Sequence, residues 1–275
     1  MLYYYANTSH KMGLERLRRG AALLNRLNAE GKEETQLLVN DFRAGLVARE
    51  LGVTEYVTIE GIQDIDAIAQ NGDSIVIDSM EDDHGRLVKY CQDFDKVWRF
   101  AHDNEDKSIH GETLLGTDTV MVDDTFFEES KKEERILFFL GDADYNKTIL
   151  GNDAFFKAFD MELLLGNYFF VKYEDDLAKL FTMLYEPEEY EDLIKTSATI
   201  VTASAQTALE AKVSGAKVIY IALKDNPLYD RELLEKYGIL TIDGFDISAL
   251  QELLGSLLVQ EMQSIQKIDI STILN

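Results

Sequence analysis

Residues 198–223 read ATIVTASAQTALEAKVSGAKVIYIAL, and this segment decides the fold. Its first run, Thr199 to Thr202, is β-branched and apolar, which is typical of a strand buried on both faces. A turn of small residues, a helix, a glycine break and a second apolar run, Lys217 to Ala222, follow in that order. The segment therefore predicts a parallel strand-helix-strand unit with a right-handed crossover.

The start of the predicted helix is a candidate anion site. The turn Ala203-Ser204-Ala205 opens it, and these small side chains let a ligand approach the backbone. Exposed amides and the positive end of the helix dipole attract an anion such as a phosphate. Thr207 and Glu210 are three residues apart and share a helix face, so Glu210 is placed to accept two hydrogen bonds from a ribose diol. The alternative is an ordinary unit in which Glu210 faces solvent.

Composition limits the partners. The chain has 275 residues, of which 46% are hydrophobic, and its net charge is −24. Such an acidic chain repels the phosphates of nucleic acid and of anionic membranes. Its single cysteine, Cys91, excludes a disulfide framework and a cysteine-based zinc site. We find neither an apolar run of about 18 residues nor a secretory leader. We expect a cytoplasmic protein without membrane insertion, as a monomer or small homo-oligomer.

The rest of the chain repeats the alternation of strands and helices. In the N-terminal half we predict strands at 2–6, 36–39, 73–78 and 96–101, and helices at 14–29 and 42–51. A charged run at 128–135 is the best linker candidate. Further strands are predicted at 136–140, 168–171 and 238–242, followed by an apolar helix within 250–259 that we expect to pack inside the chain.

This alternation predicts an α/β fold of two Rossmann-like domains, with a ligand cleft between the carboxyl ends of their strands. We place the domains at 1–130 and at 131–275.

Four short motifs carry a family resemblance. They are Gly13 to Arg19 after the first strand, Ile75 to Asp78, Phe139 to Asp144, and Thr202 to Glu210. Together they resemble GT-B-type nucleotide-sugar proteins, and within that group the UDP-2,4-diacetamido-2,4,6-trideoxy-altropyranose hydrolase of pseudaminic acid biosynthesis. The resemblance covers most of the chain, although each motif is short. Only the last of the four is moderately specific.

The resemblance implies that the protein binds UDP or a UDP-sugar, without a cofactor or a metal. It also implies that domain 1–130 is on the side of the sugar or acceptor and that domain 131–275 binds the nucleotide. The nucleotide would contact Gly141, Asp142, Asp144, Ser204, Ala205, Gln206, Thr207 and Glu210, and the sugar would contact Gly13 and Asp78. In the family the first loop carries a histidine that acts as the general base for hydrolysis.

This sequence departs from the family at that loop. Counted from Arg19, Arg16 takes the position of the histidine, and Glu15 takes that of the second glycine. Arginine stays protonated and cannot accept a proton from water. Glu15 is then a candidate base, because a carboxylate in a partly dry cleft can do this work. His10, in the same loop, is another candidate, and its alternative role is that of a solvated loop residue.

Two acidic clusters have more than one interpretation. Asp142 and Asp144 could hold a sugar hydroxyl, hold a metal, or cap the next helix, and capping is favoured because aspartate is a common N-cap. The run His102 to Asp106 could be a metal cluster, although a connecting acidic loop is more common.

Three functional classes remain open from the sequence. The protein is a hydrolase that releases UDP from an amino sugar, a GT-B glycosyltransferase in which an acceptor hydroxyl replaces water, or a nucleotide-sugar-binding protein of glycan or flagellar modification that has lost the chemistry.

Overall fold

The structure is a computed structural model that describes residues 1–31, 33–169, 171–223, 227–256 and 263–274. The chain forms two compact units. Unit 1 comprises Met1–Ser9, Arg16–Asp124 and Lys267–Asn275, and unit 2 comprises His10–Glu15 and Thr125–Gln266. Each unit contains one six-stranded sheet. The predicted α/β class with two Rossmann-like units is confirmed, whereas the domain boundary at residue 130 stays a prediction.

Unit 1 is a parallel sheet with the strand order β3-β2-β1-β4-β5-β6. Its strands are β1 (Leu2–Ala6), β2 (Thr35–Val39), β3 (Tyr56–Thr58), β4 (Ser74–Asp78), β5 (Lys96–Phe100) and β6 (Thr113–Leu115). The helices are α1 (Glu15–Glu30, of which Glu15 lies in unit 2), α2 (Phe42–Glu50) and α3 (Arg86–Asp93). Every residue of β1 and of β4 is buried, as expected of central strands covered on both faces.

Unit 2 is a parallel sheet with the order β12-β11-β10-β7-β8-β9. Its strands are β7 (Glu133–Phe139), β8 (Glu162–Leu164), β9 (Met183–Tyr185), β10 (Ser197–Thr202), β11 (Lys217–Ala222) and β12 (Leu240–Asp243). Its helices are α4 (Thr148–Gly151), α5 (Asp153–Phe156), α6 (Val171–Leu177), α7 (Tyr190–Thr196), α8 (Ala205–Val213), α9 (Arg231–Lys236) and α10 (Ile247–Gly255). A last short helix, α11 (Ile270–Ile273), belongs to unit 1.

Both sheets change winding direction at their centre. In unit 1 the first strand, β1, lies between β2 and β4. In unit 2 the first strand, β7, lies between β10 and β8. Open α/β sheets bind ligands outside the carboxyl ends of the strands at such a switch point. The topology of each unit therefore marks one edge as the place to look for a site.

The structure corrects two predicted segments. The charged run 128–135 is not wholly a linker, because β7 begins at Glu133 and includes Arg135, whose guanidinium lies 3.3 Å from the Tyr185 hydroxyl of β9. The strand predicted at 168–171 is wrong. Tyr168 lies in a turn and its amide donates to the Asp142 carbonyl at 2.8 Å, while the strand of this region is β8, earlier in the chain. Residue 170 lies outside the described residues.

The predicted C-terminal helix corresponds to α10. Leu250 is fully buried in the aromatic core of unit 2, so this helix packs inside the chain as expected. Residues 257–262, at the end of the predicted range, lie outside the described residues. Across the described ranges no helix is both long enough and apolar enough to cross a membrane.

Candidate functional site

The candidate site lies at the carboxyl edge of the unit 2 sheet, where β7 and β10 are neighbours. Thr202 pairs with Phe139 at the ends of these strands, and the Ala203 amide donates to the Phe139 carbonyl at 3.2 Å. From here β7 leads to Gly141 and β10 leads to Ser204. The two nucleotide-binding motifs predicted from the sequence therefore start at the same switch point.

The turn after β10 is organised by buried hydroxyl groups. Ser204 is the N-cap of α8, and its Oγ accepts from the Thr207 amide at 3.2 Å and from the Thr207 hydroxyl at 2.9 Å. The Ser204 amide donates to Thr202 Oγ1 at 3.0 Å. All three side chains are at most 1% exposed. This sequence folds as predicted because serine is a preferred N-cap and α8 follows the strand directly.

A carboxylate of the chain lies at the N-terminus of α8. Glu15 Oε1 accepts from the Ser204 hydroxyl at 3.0 Å and from the Gln206 amide at 3.3 Å. Glu15 is 8% exposed, and its negative charge contributes, after burial, to raising the pKa of Tyr220. A negative group is favoured at the positive end of a helix dipole. In this structure an anion from the first loop therefore lies where the sequence predicts a diphosphate.

Glu210, the predicted ribose ligand, is buried. One carboxylate oxygen accepts from the Tyr190 hydroxyl, and the other accepts from Gln206 Nε2 at 2.8 Å. The Tyr190 hydroxyl also lies 2.8 Å from Thr207 Oγ1. Since Glu210 is 2% exposed, the alternative of a solvent-facing side chain is wrong. Tyr190 was missed from the sequence, because nothing in the spacing of α7 indicates that its ring reaches this helix.

The turn after β7 is shaped by two glycines. Gly141 has φ 127°, a conformation that favours glycine. A Cβ on Gly166 would lie 2.5 Å from the Gly141 carbonyl oxygen and 2.7 Å from that of Asp142. The Asp142 carboxylate is buried and accepts from Asn167 Nδ2 at 2.8 Å. The turn thus depends on residues 166 and 167, which the sequence analysis did not single out.

Asp144 does what the capping alternative predicts. Its carboxylate accepts from the amides of Thr148 and Ile149, at the start of α4, at 2.6 and 3.2 Å. The Tyr173 hydroxyl also donates to it at 2.5 Å. Burial and this hydrogen bond raise the pKa of Tyr173. Asp144 therefore anchors α4 and α6 to the turn.

The first loop contributes Gly13 and His10 to unit 2. Gly13 has φ 83°, and a Cβ there would lie 3.8 Å from the Cβ of Asp142. His10 is exposed, with its ring centroid 5.3 Å from that of Tyr145, and Lys11 Nζ lies 4.9 Å from the same ring. His10 therefore has the position of a solvated loop residue, while Glu15 turns inward.

The corresponding edge of unit 1 is built around Asp78, at the end of β4. Arg19 donates to both of its carboxylate oxygens at 2.9 and 2.6 Å, and Arg16 Nε lies 3.2 Å from Oδ1. The Tyr4 hydroxyl donates to Oδ2 at 2.7 Å, and Arg19 lies over the Phe100 ring at 3.5 Å. Asp78 is 1% exposed. The structure brings Arg16 and Asp78 together as an ion pair, and the roles predicted for them in catalysis and sugar binding stay predictions.

The run His102 to Asp106 has the form of an acidic loop. Arg99 donates to both oxygens of Asp106 at 2.6 and 3.1 Å, and this bond lowers the pKa of Asp106. His102 Nε2 lies 3.0 Å from the Ser79 carbonyl oxygen. Within the part of the chain that the structure describes, no three His, Cys, Asp or Glu side chains are grouped so that they could hold a metal ion.

Comparison with known proteins identifies the class of fold. No protein-family model matches the chain. No curated protein matches it either. Solved structures do, over nearly the whole chain. S. aureus MnaA, solved with UDP, is 14% identical with a TM-score of 0.60, covering 93% of this chain and 88% of that one.

Two further structures agree. The spinosyn rhamnosyltransferase SpnG, complexed with thymidine diphosphate, is 12% identical with a TM-score of 0.58, covering 93% of this chain and 92% of that one. The UDP-GlcNAc 2-epimerase from Methanocaldococcus jannaschii is 12% identical with a TM-score of 0.54, covering 95% and 94%. At such identities the likeness shows the fold, which is the predicted GT-B-like arrangement of two Rossmann-like units.

Proposed function

We propose that this protein binds a UDP-type nucleotide, as UDP or a UDP-sugar, at the carboxyl edge of the unit 2 sheet. The observation that carries the proposal is the N-terminus of α8, opened by the buried Ser204 at the switch point between β7 and β10. A helix N-terminus supplies amide donors and a positive dipole, and open α/β sheets bind phosphate-bearing ligands at this point.

The solved neighbours support the class of ligand. One is described with UDP, one with thymidine diphosphate, and one as an enzyme of UDP-GlcNAc. UDP and thymidine diphosphate are nucleoside diphosphates, and UDP-GlcNAc contains one. We take the same class for this chain, with the diphosphate at the Ser204 hydroxyl and the Gln206 amide, at the start of α8.

The ribose would contact Glu210. A carboxylate accepts hydrogen bonds from hydroxyl groups, and the Tyr190 hydroxyl and Gln206 Nε2 also bond to Glu210. The buried network then acts as a support that fixes the carboxylate in one orientation. Asp142, held by Asn167, and Gly141 would form the opposite wall.

For the chemistry we propose slow hydrolysis, with water as the nucleophile and UDP as the leaving group. Arg16 is bound to Asp78 and cannot act as a base. Glu15 is the preferred proton acceptor of the two remaining candidates, because its carboxylate is turned inward and is only 8% exposed. His10 is exposed and lies beside Tyr145 instead.

Calorimetric titration with UDP tests the binding site. Glu210→Gln keeps the shape of the side chain, and its amide can still bond to both Tyr190 and Gln206. It removes the charge that would strengthen a bond to the ribose, worth about 1.5 to 3 kcal/mol, so we expect affinity to fall roughly 10- to 100-fold. Glu252→Gln, on the exposed face of α10, is the matched control. An unchanged dissociation constant for Glu210→Gln would show that the ribose does not bind at Glu210.

Release of free UDP from UDP-sugars tests the reaction. We expect low turnover in the wild type, reduced about 100-fold or more in Glu15→Gln if Glu15 is the base. Release that requires an added sugar acceptor would identify a glycosyltransferase. UDP binding without any release would identify a binding protein.

A further inference from the structure

The carboxylate of Glu15 accepts from donors of the kind that also bind phosphate oxygens. It accepts from one hydroxyl and one main-chain amide at the start of α8, at 3.0 and 3.3 Å. Hydroxyl groups and helix amides are donors that bind carboxylate and phosphate oxygens alike. Glu15 is 8% exposed, so this contact is desolvated rather than a surface encounter.

The helix does not need Glu15 as its cap. Ser204 already caps α8 through its own hydroxyl, which accepts from the Thr207 amide. Glu15 is also the first residue of α1, where a helix frays most easily. It follows Gly13, whose left-handed φ of 83° is a natural hinge, and the exposed residues His10 and Lys11.

We propose that Glu15 is an internal competitor that closes the phosphate site of the free protein and leaves it when a diphosphate binds. The identity of the ligand as a nucleotide rests on the proposed function, whereas the competition itself concerns any phosphate anion. The ligand's diphosphate replaces the Glu15 carboxylate on Ser204 and Gln206. The measured affinity of the wild type is reduced by the free energy of that exchange.

The test compares UDP and inorganic pyrophosphate on three proteins: the wild type, Glu15→Ala, and the control Glu252→Ala. In Glu15→Ala the competitor is removed, so the affinity for both ligands should rise at least about 10-fold. The control should keep the wild-type affinity. Glu15→Gln keeps a neutral acceptor at the site and should fall between the two, so it carries the test if Glu15→Ala does not fold. Thermal unfolding verifies that each variant is folded.

The outcomes separate the two proposals. If UDP binds the wild type and Glu15→Ala equally, or binds the variant more weakly, the competition is overturned and the nucleotide site stands. If pyrophosphate binds Glu15→Ala more tightly than the wild type but UDP binds neither, the competition stands and the nucleotide function falls. If neither ligand binds any of the proteins, both proposals fall.

Discussion

The two sheets hold their buried carboxylates in different ways. In unit 1 Asp78 is bound by the guanidinium groups of Arg16 and Arg19 and by a phenol. In unit 2 Glu15 is bound by a hydroxyl and an amide, and Glu210 by a phenol and a carboxamide. Guanidinium groups hold Asp78, whereas a hydroxyl, a main-chain amide, a phenol and a carboxamide are among the donors to Glu15 and Glu210.

The difference indicates which edge is free to serve a ligand. A buried carboxylate paired with arginine is costly to separate, because the remaining charge stays buried. Hydroxyl and amide donors carry no net charge, so another anion can replace the first one without leaving a buried cation unpaired. We therefore interpret the Asp78 cluster as a structural lock and the start of α8 as the ligand side.

The largest effect on stability should come from removing the Arg19 guanidinium from the Asp78 cluster. Arg19→Met leaves Asp78 buried with one partial ion pair and removes the packing on Phe100. We expect the free energy of unfolding in urea to fall by about 4 kcal/mol. Arg16→Met is the matched comparison, since that side chain is 19% exposed and makes one longer contact, and it should cost about 1 kcal/mol. Equal losses would show that Arg19 is not the main partner.

The next effect tests the backbone of the ligand edge. Gly166→Ala places a Cβ 2.5 Å from the Gly141 carbonyl oxygen, so the turn after β7 must shift. Overpacking of this kind costs about 3 kcal/mol and should also weaken UDP. Gly151→Ala is the control, because a Cβ there meets nothing within 4 Å. A stable Gly166→Ala protein would mean that this turn adapts without strain.

A smaller effect tests the neutral donors. Tyr190→Phe removes the hydroxyl that links Glu210 and Thr207 while keeping the ring between Phe126 and Phe139. Because the variant leaves a buried carboxylate with one donor fewer, we expect a loss of about 2 kcal/mol in thermal unfolding. Tyr145→Phe, on an exposed side chain, should lose almost nothing. Equal losses of stability in Tyr190→Phe and Tyr145→Phe would show that the network around Glu210 does not stabilise the fold.

Much of the fold could be predicted from the sequence, for a physical reason. Four strands, β1, β4, β10 and β11, are short apolar runs flanked by polar turns. Their apolar composition predicts burial on both faces of the sheet. Strand β8 could not be placed, because the three residues Glu162 to Leu164 have no periodicity to distinguish them from the aromatic turn that follows.

The candidate site was predicted in part. Ser204, Thr207 and Gly141 follow from local rules for caps and turns, and the structure brings their two motifs to one switch point. The side chains that form hydrogen bonds with this site from elsewhere in the chain do not follow from such rules. Tyr190 and Glu15 reach α8 from 20 and 195 residues before Glu210, and only the tertiary fold sets those contacts.

The smallest effect extends the comparison to another carboxylate of unit 1 that is paired with an arginine, Asp106. The hydrogen bond from Arg99 lowers the pKa of Asp106, so the unfolded chain takes up this proton before the folded one does. The stabilisation is therefore complete above the unfolded value of about 3.9 and is lost as the pH falls towards the folded value. Between pH 5 and pH 3 the wild type should lose about 1 kcal/mol more than Asp106→Asn, measured by urea unfolding at each pH. Asp103→Asn, which removes an exposed carboxylate of the same loop, should keep the wild-type profile. An Asp106→Asn profile that runs parallel to the wild type would show that Arg99 and Asp106 do not form a functional ion pair in solution.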